Sequence, residues 1–298
     1  MFKFILWAAL LLCGTSSLAQ PVKLIIPFPP GGGSDHVARI IQSYLDTKNT
    51  NLFFDHRPGA HGLIGKRELF STPGNSNALL LLSGSNLAIL DHLHNEKPSY
   101  SFVSELVYTP MVIISNDFKI DFKSFVNNVK SEKVSFGHGS AATMVATYEL
   151  IELIGGKDIV HVNFKGAAPN IANVIGGHVK YAIVPLNTVA SLIKSNKVNP
   201  IAITCHKRLD QLSNIPCVNE FYTGFVASQY WGVVMSNVDQ QVVLKYNNLF
   251  ADMAVNRQFN DKLRESFLFP ALELGPVHMA KKYERTSNLL RKNKLNLE

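Results

Sequence analysis

The stretch KLIIPFPPGGGSDHVARIIQSYL, residues 23–45, holds a strand, a glycine bend and a helix in direct succession. The short run Lys23-Leu24-Ile25-Ile26 is rich in β-branched side chains, which favours a strand, and the prolines that follow cannot continue a central one. Apolar residues recur at helical spacing over residues 37–45, which predicts an amphipathic helix with Ser34 or Asp35 as its N-cap. This order is typical of an α/β fold built on a parallel sheet.

The bend itself, Gly31 to Gly33, is suited to binding an anion. Three glycines let the main chain approach a ligand closely, and the free amides at the start of the helix point toward that ligand. The stretch lacks the Gly-Lys-Ser/Thr of a phosphate loop and the spacing of a dinucleotide-binding loop, so we do not predict a nucleotide site. The alternative is a purely structural turn in which Ser34 and Asp35 only cap the helix.

Residues 1–19 have the pattern of a secretory signal peptide, with a positive charge at Lys3, an apolar run over residues 4–12 and small residues before the expected cleavage site. We therefore expect export to the periplasm. Cys13 follows a leucine and not a small residue, which disfavours a lipoprotein-type cleavage at that cysteine. No later segment reaches eighteen uninterrupted apolar residues, so we expect no membrane-spanning helix.

The formal net charge of +7 comes from scattered basic residues and one basic cluster between residues 281 and 294. That cluster is typical of the solvated face of a helix, and it lacks the interleaved aromatic residues of a nucleic-acid-binding surface. We therefore expect no nucleic-acid partner, although a basic surface attracts anionic ligands.

Removal of the signal peptide leaves Cys205 and Cys217 as the two cysteines, in a compartment that permits disulfides. Two alternatives stay open at this point. The pair forms a disulfide, worth on the order of 3 kcal/mol by the loop-entropy estimate, or it contributes two small buried thiols.

Short apolar runs and helical patterns alternate along the rest of the chain, which is typical of parallel sheets covered by helices. No flexible linker separates two halves, so a second lobe has to be reached through crossover strands, which we place near 114–118 and 230–236. From residue 239 onward we predict helix throughout, with Leu244 among the core candidates. The other predicted strands lie near 78–82, 108–114, 134–136, 159–162, 180–184, 199–204 and 231–235, and clear helices cover 122–130, 144–154 and 171–175.

Four motifs are distinctive: LIIPFPPGGGSD at 24–35, HRPGAHGLIG at 56–65, HVNFKGAAPNIANVIGGHV at 161–179, and Tyr-Trp-Gly at 230–232. Through them the chain resembles the substrate-binding receptors of tripartite tricarboxylate transporters, the TctC or Bug family. The resemblance implies an α/β, two-lobed, type II periplasmic-binding-protein-like fold, each lobe a mainly parallel sheet flanked by helices, with crossover strands between the lobes. Lobe 1 would comprise residues 20–116 plus 234–298, and lobe 2 residues 117–233.

The resemblance also implies a function, the capture of a small organic carboxylate in the cleft between the lobes for a membrane transporter. Such receptors hold the ligand through main-chain amides, small hydroxyls and water, and they close around it. They need no cofactor or metal, and we expect a monomer. Carried over by position, the ligand-binding residues would be Phe28, Pro30, Gly31, Gly32, Gly33, Ser34, Asp35, Ser83 and Ser85 in lobe 1, and Gly139, Ser140, Gly166, Ala167, Ala168 and Pro169 in lobe 2.

The chain departs from the family pattern at positions that concern ligand identity. Leu63 stands where relatives commonly have asparagine, Val145 where they usually have histidine, and Val184-Pro185 where many have Asp-Asn. Lys165, beside the second-lobe loop, is expected to be solvated.

Two other functions stay open: a receptor on the same fold that signals to a sensor kinase or another partner, and a hydrolase. Ser34-Asp35-His36 contains the letters of a catalytic triad, but three consecutive residues cannot stack as nucleophile, base and orienter. The run from Asp91 to His94 lacks a recognised metal-binding pattern. We therefore predict neither an enzyme nor a metal site.

Overall fold

The computed structural model describes residues 21–72, 77–96, 99–164 and 166–293. Residues 1–19, the predicted signal peptide, and Lys165 lie outside the described residues. The strands are β1 (Val22–Ile26), β2 (Leu52–His56), β3 (Ala78–Leu81), β4 (Tyr100–Ser115), β5 (Val134–His138), β6 (Ile159–Asn163), β7 (Tyr181–Pro185), β8 (Asn199–Ile203), β9 (Ser228–Ser236) and β10 (Phe269–Pro270). The α-helices are α1 (Gly33–Leu45), α2 (Leu63–Ser71), α3 (Gly84–His94), α4 (Phe122–Ser131), α5 (Ala141–Ile154), α6 (Ala167–Ile175), α7 (Leu186–Lys194), α8 (Gln240–Val255), α9 (Arg257–Glu265) and α10 (Pro276–Asn293).

Two groups of parallel strands form the two lobes. In the first lobe β1 pairs with β2 and β3, and in the second β5 pairs with β6 and β7. The antiparallel strands β9 and β4 connect the groups, in the order β2-β1-β3-β9-β4-β7-β5-β6. This arrangement confirms the predicted α/β fold of two lobes joined by crossover strands.

Each lobe has a hydrophobic core on both faces of its parallel strands, because successive side chains point to opposite faces. In the first lobe, Leu24 and Ile26 pack toward α1, α8 and α9, whereas Ile25 packs toward α2, α3 and α10. In the second lobe, Phe136 packs toward α4 and α5, whereas Val184 packs toward α6 and α7. Burial on both faces explains why these strands are nearly continuous apolar runs in the sequence.

The strand β4 takes part in both lobes. Its residues 100–110 pair with β9, and its residues 111–115 pair with β7 and β8. The strand therefore passes from one lobe to the other next to Pro110, earlier than the crossover near 114–118 that the sequence predicts.

Thr204, directly after β8, joins the two connecting strands at the point where the chain passes from one lobe to the other. Its Oγ1 accepts a hydrogen bond from the Met111 amide at 2.9 Å and donates one to the Ala227 carbonyl. The Thr204 amide also donates to the Met111 carbonyl at 2.8 Å. Because Met111 lies on β4 and Ala227 immediately precedes β9, a single buried threonine holds both strands at this point.

The C-terminal part of the chain differs from the prediction of continuous helix. The two residues of β10 pair with β4 and separate α9 from α10. Leu244 is exposed, and α8 instead buries Val243, Tyr246, Phe250 and Met253. A strand of two residues has no periodicity of its own, so its place is set by the partner strand.

A disulfide joins Cys205 and Cys217 in the second lobe, with the two Cα atoms 5.3 Å apart. It ties the segment after β8 to the turn that begins at Val218. No helix within the described ranges is both long enough and apolar enough to cross a membrane.

Candidate functional site

The loops that carry most of the predicted site residues lie at the carboxyl ends of parallel strands. β1 and β3 lead into α1 and α3, and β5, β6 and β7 lead into α5, α6 and α7. In open parallel sheets, ligands bind at this edge because the loops and the positive ends of the helices meet there.

The first glycine bend presents free amides at the start of α1. The helix begins at Gly33 and has Gly32 as its N-cap, not Ser34 or Asp35 as predicted. The amide of His36 donates to the Gly32 carbonyl at 3.0 Å, so the helical hydrogen-bond pattern begins there. The amides of Gly33, Ser34 and Asp35 have no acceptor among the described residues. Three unpaired donors at a helix start form a local anion-binding geometry.

Asp35 holds this bend in shape. Its buried carboxylate accepts hydrogen bonds from the Gly31 amide at 3.0 Å, from Arg39 Nε at 3.0 Å and from His56 Nε2 at 2.9 Å. Burial by itself raises the pKa of Asp35, but these hydrogen bonds outweigh it and the pKa lies below its usual value. The carboxylate is therefore ionised at neutral pH, and protein donors already occupy both of its oxygens.

Gly33 lies opposite the start of α7, which belongs to the second lobe. A Cβ atom placed on Gly33 would be 3.6 Å from Trp231 Cζ2, 3.8 Å from Asn187 Nδ2 and 3.9 Å from Thr188 Cγ2. Trp231 Nε1 donates to Ser34 Oγ at 2.9 Å. The bend of the first lobe thus approaches a helix start of the second across a space that a small side chain would fill.

Asn187 and Thr188 were not predicted as site residues. The Asn187 Oδ1 atom is buried and has no hydrogen-bond partner in the described part of the chain. The signal that could have found Asn187 is its position, the second residue of a helix that follows a buried parallel strand.

In the second lobe, the structure brings together the loops after β5 and β6. A Cβ atom on Gly139 would lie 2.8 Å from the carbonyl carbon of Gly166 and 2.9 Å from the amide nitrogen of Ala167. Ser140 is the N-cap of α5, and it forms a capping box with Thr143. Gly139 therefore permits a main-chain contact that no larger residue would allow.

Two histidines lie beneath this loop pair. His138 Nε2 and His161 Nδ1 are 2.8 Å apart, and His161 stacks on Tyr148 with ring centroids 4.3 Å apart. Burial, with a smaller contribution from His161, lowers the pKa of His138 to about 3. At neutral pH both histidines are uncharged, so the loops after β5 and β6 lie over neutral rings.

The remaining predicted residues have different surroundings. Phe28 packs against the first-lobe core, Ser83 caps α3 by accepting from the Asn86 amide, and Ser85 Oγ accepts from Thr286 on α10. Pro30, Ala168 and Pro169 are exposed, as are Gly31 and Gly32 of the first bend.

The positions that depart from the family pattern are mostly buried. Leu63 lies in the first-lobe core, and Val184 and Pro185 end β7 in the second. Val145, on α5, lines a cavity between α3, α5 and α10.

The residues weighed for catalysis and metal binding are not arranged for either. Ser34 Oγ contacts Trp231, whereas His36 Nε2 lies 2.9 Å from Ser266 Oγ. Asp91 is buried with Lys66 and two tyrosines. Over the described ranges, no three His, Cys, Asp or Glu side chains are placed to hold a metal ion.

Comparison with known proteins gives consistent matches. The model of the family described as "Tripartite tricarboxylate transporter family receptor" matches residues 37–271. The chain is similar to Protein BugT of Bordetella pertussis, 28% identical over 270 residues, which covers 85% of this chain and 79% of that protein.

Two solved structures share the fold. Periplasmic binding protein BugD superposes with a TM-score of 0.78 at 21% identity, over 93% of this chain and 98% of that one. MatC from Rhodopseudomonas palustris, solved with bound malate, superposes with a TM-score of 0.76 at 18% identity, over 91% of this chain and 98% of that one.

Proposed function

We propose that this chain, which belongs to the tripartite tricarboxylate transporter receptor family, is a periplasmic receptor that captures a small organic carboxylate. Family membership follows from the match over residues 37–271. The ligand class is supported by MatC, a protein of the same fold that was solved with malate. The receptor passes its ligand to membrane subunits of a transporter, acts as a monomer and makes or breaks no covalent bond.

The observation that carries the proposal is the set of free amides at Gly33, Ser34 and Asp35, opposite Asn187 in the other lobe. A carboxylate placed there would accept charge-assisted hydrogen bonds from the amides, and the Asn187 side chain would meet it from the second lobe. Arg39, the cation on the same helix, is already bonded to Asp35. Main-chain donors therefore take the place of a cationic side chain.

A few such bonds are sufficient for a physiological affinity. A micromolar dissociation constant corresponds to about 8 kcal/mol, and hydrogen bonds to a charged group are worth roughly 1.5–3 kcal/mol each. Burial of the ligand's apolar part supplies the remainder.

Ligand contacts from both lobes favour the closed form, so the ligand shifts an equilibrium between open and closed states. The predicted lobes, residues 20–116 plus 234–298 and residues 117–233, are kept in the proposal with one change of bounds: the chain changes lobe at Pro110 and at Ser228, where the pairing of β4 with β9 gives way to pairing with β7 and β8. The second-lobe contacts would come from Gly139, Ser140 and residues 166–169, together with the start of α7.

The test is the substitution Gly32→Val. Gly32 has an extended conformation, φ −83° and ψ 179°, and among the described residues beyond its two chain neighbours its added Cβ would meet only the Pro29 carbonyl oxygen, at 3.4 Å. The variant should fold normally while its side chain obstructs the amides. We expect the wild type to gain thermal stability with one or more di- or tricarboxylates, and Gly32→Val to lose that gain.

Gly32→Ala is the matched control, because it adds only the Cβ atom and should retain most of the ligand-induced shift. A full shift in Gly32→Val would overturn the proposed binding mode. The absence of any shift across dicarboxylates, tricarboxylates, aromatic acids and amino acids would overturn the proposed ligand class.

A further inference from the structure

A phenylalanine in the left-handed conformation ends α9. Phe267 has φ +54°, and the amides of Phe267 and Leu268 donate to the carbonyls of Arg264 at 3.1 Å and Leu263 at 2.9 Å. This pair of hydrogen bonds is the Schellman pattern, in which glycine usually occupies the left-handed position because a Cβ atom there costs free energy. Glycine would satisfy this helix end, so the reason for a phenylalanine lies in the contacts of its ring.

Phe267 and Leu268 are neighbours in the chain but belong to the cores of different lobes. Leu268 is fully buried in the first-lobe core, together with Leu263 of α9. Phe267 is 3% exposed and belongs to the second-lobe core, together with Val189 of α7. The Nζ atom of Lys194, at the end of α7, lies 4.9 Å from the centroid of the Phe267 ring. A segment of the first lobe therefore inserts one aromatic ring into the second.

The same segment contacts both the connecting strand β4 and the first glycine bend. Thr109, directly before the point where β4 changes lobe, donates from its Oγ1 to the Phe267 carbonyl at 2.7 Å. Ser266 Oγ lies 2.9 Å from Nε2 of His36, the residue that follows the three free amides of α1. From the second lobe, α7 presents Asn187 to the same bend. The end of α9 thus links the two helices that face each other across the proposed site.

We propose that Phe267 is a positioning residue, a first-lobe side chain that holds α7 of the second lobe beside the glycine bend before any ligand is bound. Rotation of the lobes that carried α7 away would withdraw the ring from its core and expose it to water, which is unfavourable. Holding α7 in place raises the population of the form that a ligand binds. The benefit for binding rests on the carboxylate site proposed above, whereas the interlobe contact itself needs no ligand.

The experiment measures the distance between the lobes in the ligand-free protein by pulsed electron–electron double resonance. Spin labels are attached at Lys197→Cys, just after α7, and at Lys281→Cys on α10, both exposed positions. Cys205 and Cys217 are bonded to each other, so in the mature protein the label reacts at the two introduced cysteines. We expect a single narrow distance distribution for the protein with Phe267 intact, and a broader distribution with a shifted mean for Phe267→Ala.

Phe259→Ala is the matched control. Phe259 is a second buried phenylalanine of α9, 2% exposed, but it lies in the first-lobe core. Its removal should lower the midpoint of thermal unfolding by an amount similar to that of Phe267→Ala, about 6 °C or more. The distance distribution should stay unchanged in Phe259→Ala. This pair separates a loss of positioning from a loss of stability.

Phe267→Gly separates the ring from the helix end. Glycine suits the left-handed conformation, so a residue that only ended the helix could be replaced by glycine with no loss of stability. We expect instead a midpoint lower by about 6 °C or more, because the ring is lost from the second-lobe core. Phe267→Leu, which keeps an apolar side chain, should fold and show a partial broadening even where the smaller residues prevent folding.

Broadening confined to the Phe267 variants supports the proposal. An unchanged distribution in both Phe267→Ala and Phe267→Leu, equal broadening in Phe259→Ala, or a Phe267→Gly variant at least as stable as the wild type would each overturn it. These measurements contain no ligand, so they are independent of the Gly32→Val test. A failure of that test would remove the carboxylate site and leave the interlobe contact in place.

Discussion

The glycine loops of the two lobes are held in place by different forces. In the first lobe, the ionised carboxylate of Asp35 holds the bend through Gly31, Arg39 and His56. In the second lobe, the loop pair is held by a direct main-chain contact at Gly139, above two neutral histidines. The first loop therefore depends on charge and hydrogen bonding, whereas the second depends on close packing.

Two glycine loops with similar sequence patterns are therefore stabilised by different interactions. A loop held by ionic and hydrogen bonds is destabilised by the loss of a single acceptor, because every donor around that acceptor loses its partner at once. A loop held by close packing is destabilised by a larger side chain, because the surrounding atoms have no space to move into.

The largest expected effect is that of Asp35→Ala. It removes an acceptor from three donors, and we expect the free energy of unfolding to fall by about 3 kcal/mol, because breaking a buried charged network costs roughly 3–5 kcal/mol. Ligand affinity should fall as well, because the bend loses its support. Chemical denaturation measures the first effect and calorimetry the second. The control is Arg39→Ala, whose exposed ion pair should contribute at most about 1 kcal/mol; equal losses in both variants would refute the role given to Asp35.

Gly139→Ala should have the next largest effect. Its Cβ would lie 2.8 Å from main-chain atoms of Gly166, so the two loops would have to separate, at a cost of about 2–3 kcal/mol for overpacking. The matched control in the other lobe is Gly32→Ala, which should be neutral or slightly stabilising because its surroundings are open. If thermal melting gave the same result for both alanine variants, the steric account of the second loop would be wrong.

Acid should weaken the second lobe through His138. Because the pKa of His138 falls to about 3 in the folded protein, the unfolded chain takes up the proton first as the pH drops below about 6.5. Stability is thus complete above pH 6.5 and decreases toward pH 3, by about 2 kcal/mol between pH 7.5 and pH 5. His161, whose pKa is also lowered by burial, acts in the same direction. Urea denaturation at both pH values should show a smaller acid-induced loss of unfolding free energy in His138→Gln than in the wild type. An identical loss in the two proteins would mean that another group causes the effect.

Trp231→Phe should have the smallest effect. It removes the donor to Ser34 Oγ while keeping an aromatic ring beside Gly33, and we expect a loss of about 1 kcal/mol. A double-mutant cycle with Ser34→Ala would isolate the bond. Additive losses in that cycle would mean that the hydrogen bond contributes nothing to stability.

The sequence predicted well those features that depend on local patterns. The strand β1, the helix α1 and the glycine bend between them follow from β-branched residues, prolines and helical periodicity. The two-lobed fold came from motifs that also occur in a known family. Each of these signals lies within one short segment of the chain, so it could be interpreted without knowledge of the tertiary contacts.

The sequence could not show features that depend on contacts between distant segments. The two residues of β10 are fixed by β4, and the change of lobe at Pro110 has no local marker. The pairing of Asp35 with His56 joins residues 21 positions apart in the chain. The family resemblance placed Asp35 among the ligand-binding residues, whereas protein donors occupy both of its carboxylate oxygens through three hydrogen bonds.

The contact of Thr204 with both strands has a consequence for how the lobes move. One hydroxyl bonds both to Met111 and to Ala227, so it couples the two connecting segments. A rotation of one segment is therefore expected to be transmitted to the other, which favours rotation of the lobes about a common axis. We therefore expect opening along one well-defined arc, and not the wider wobble that two separate tethers would allow.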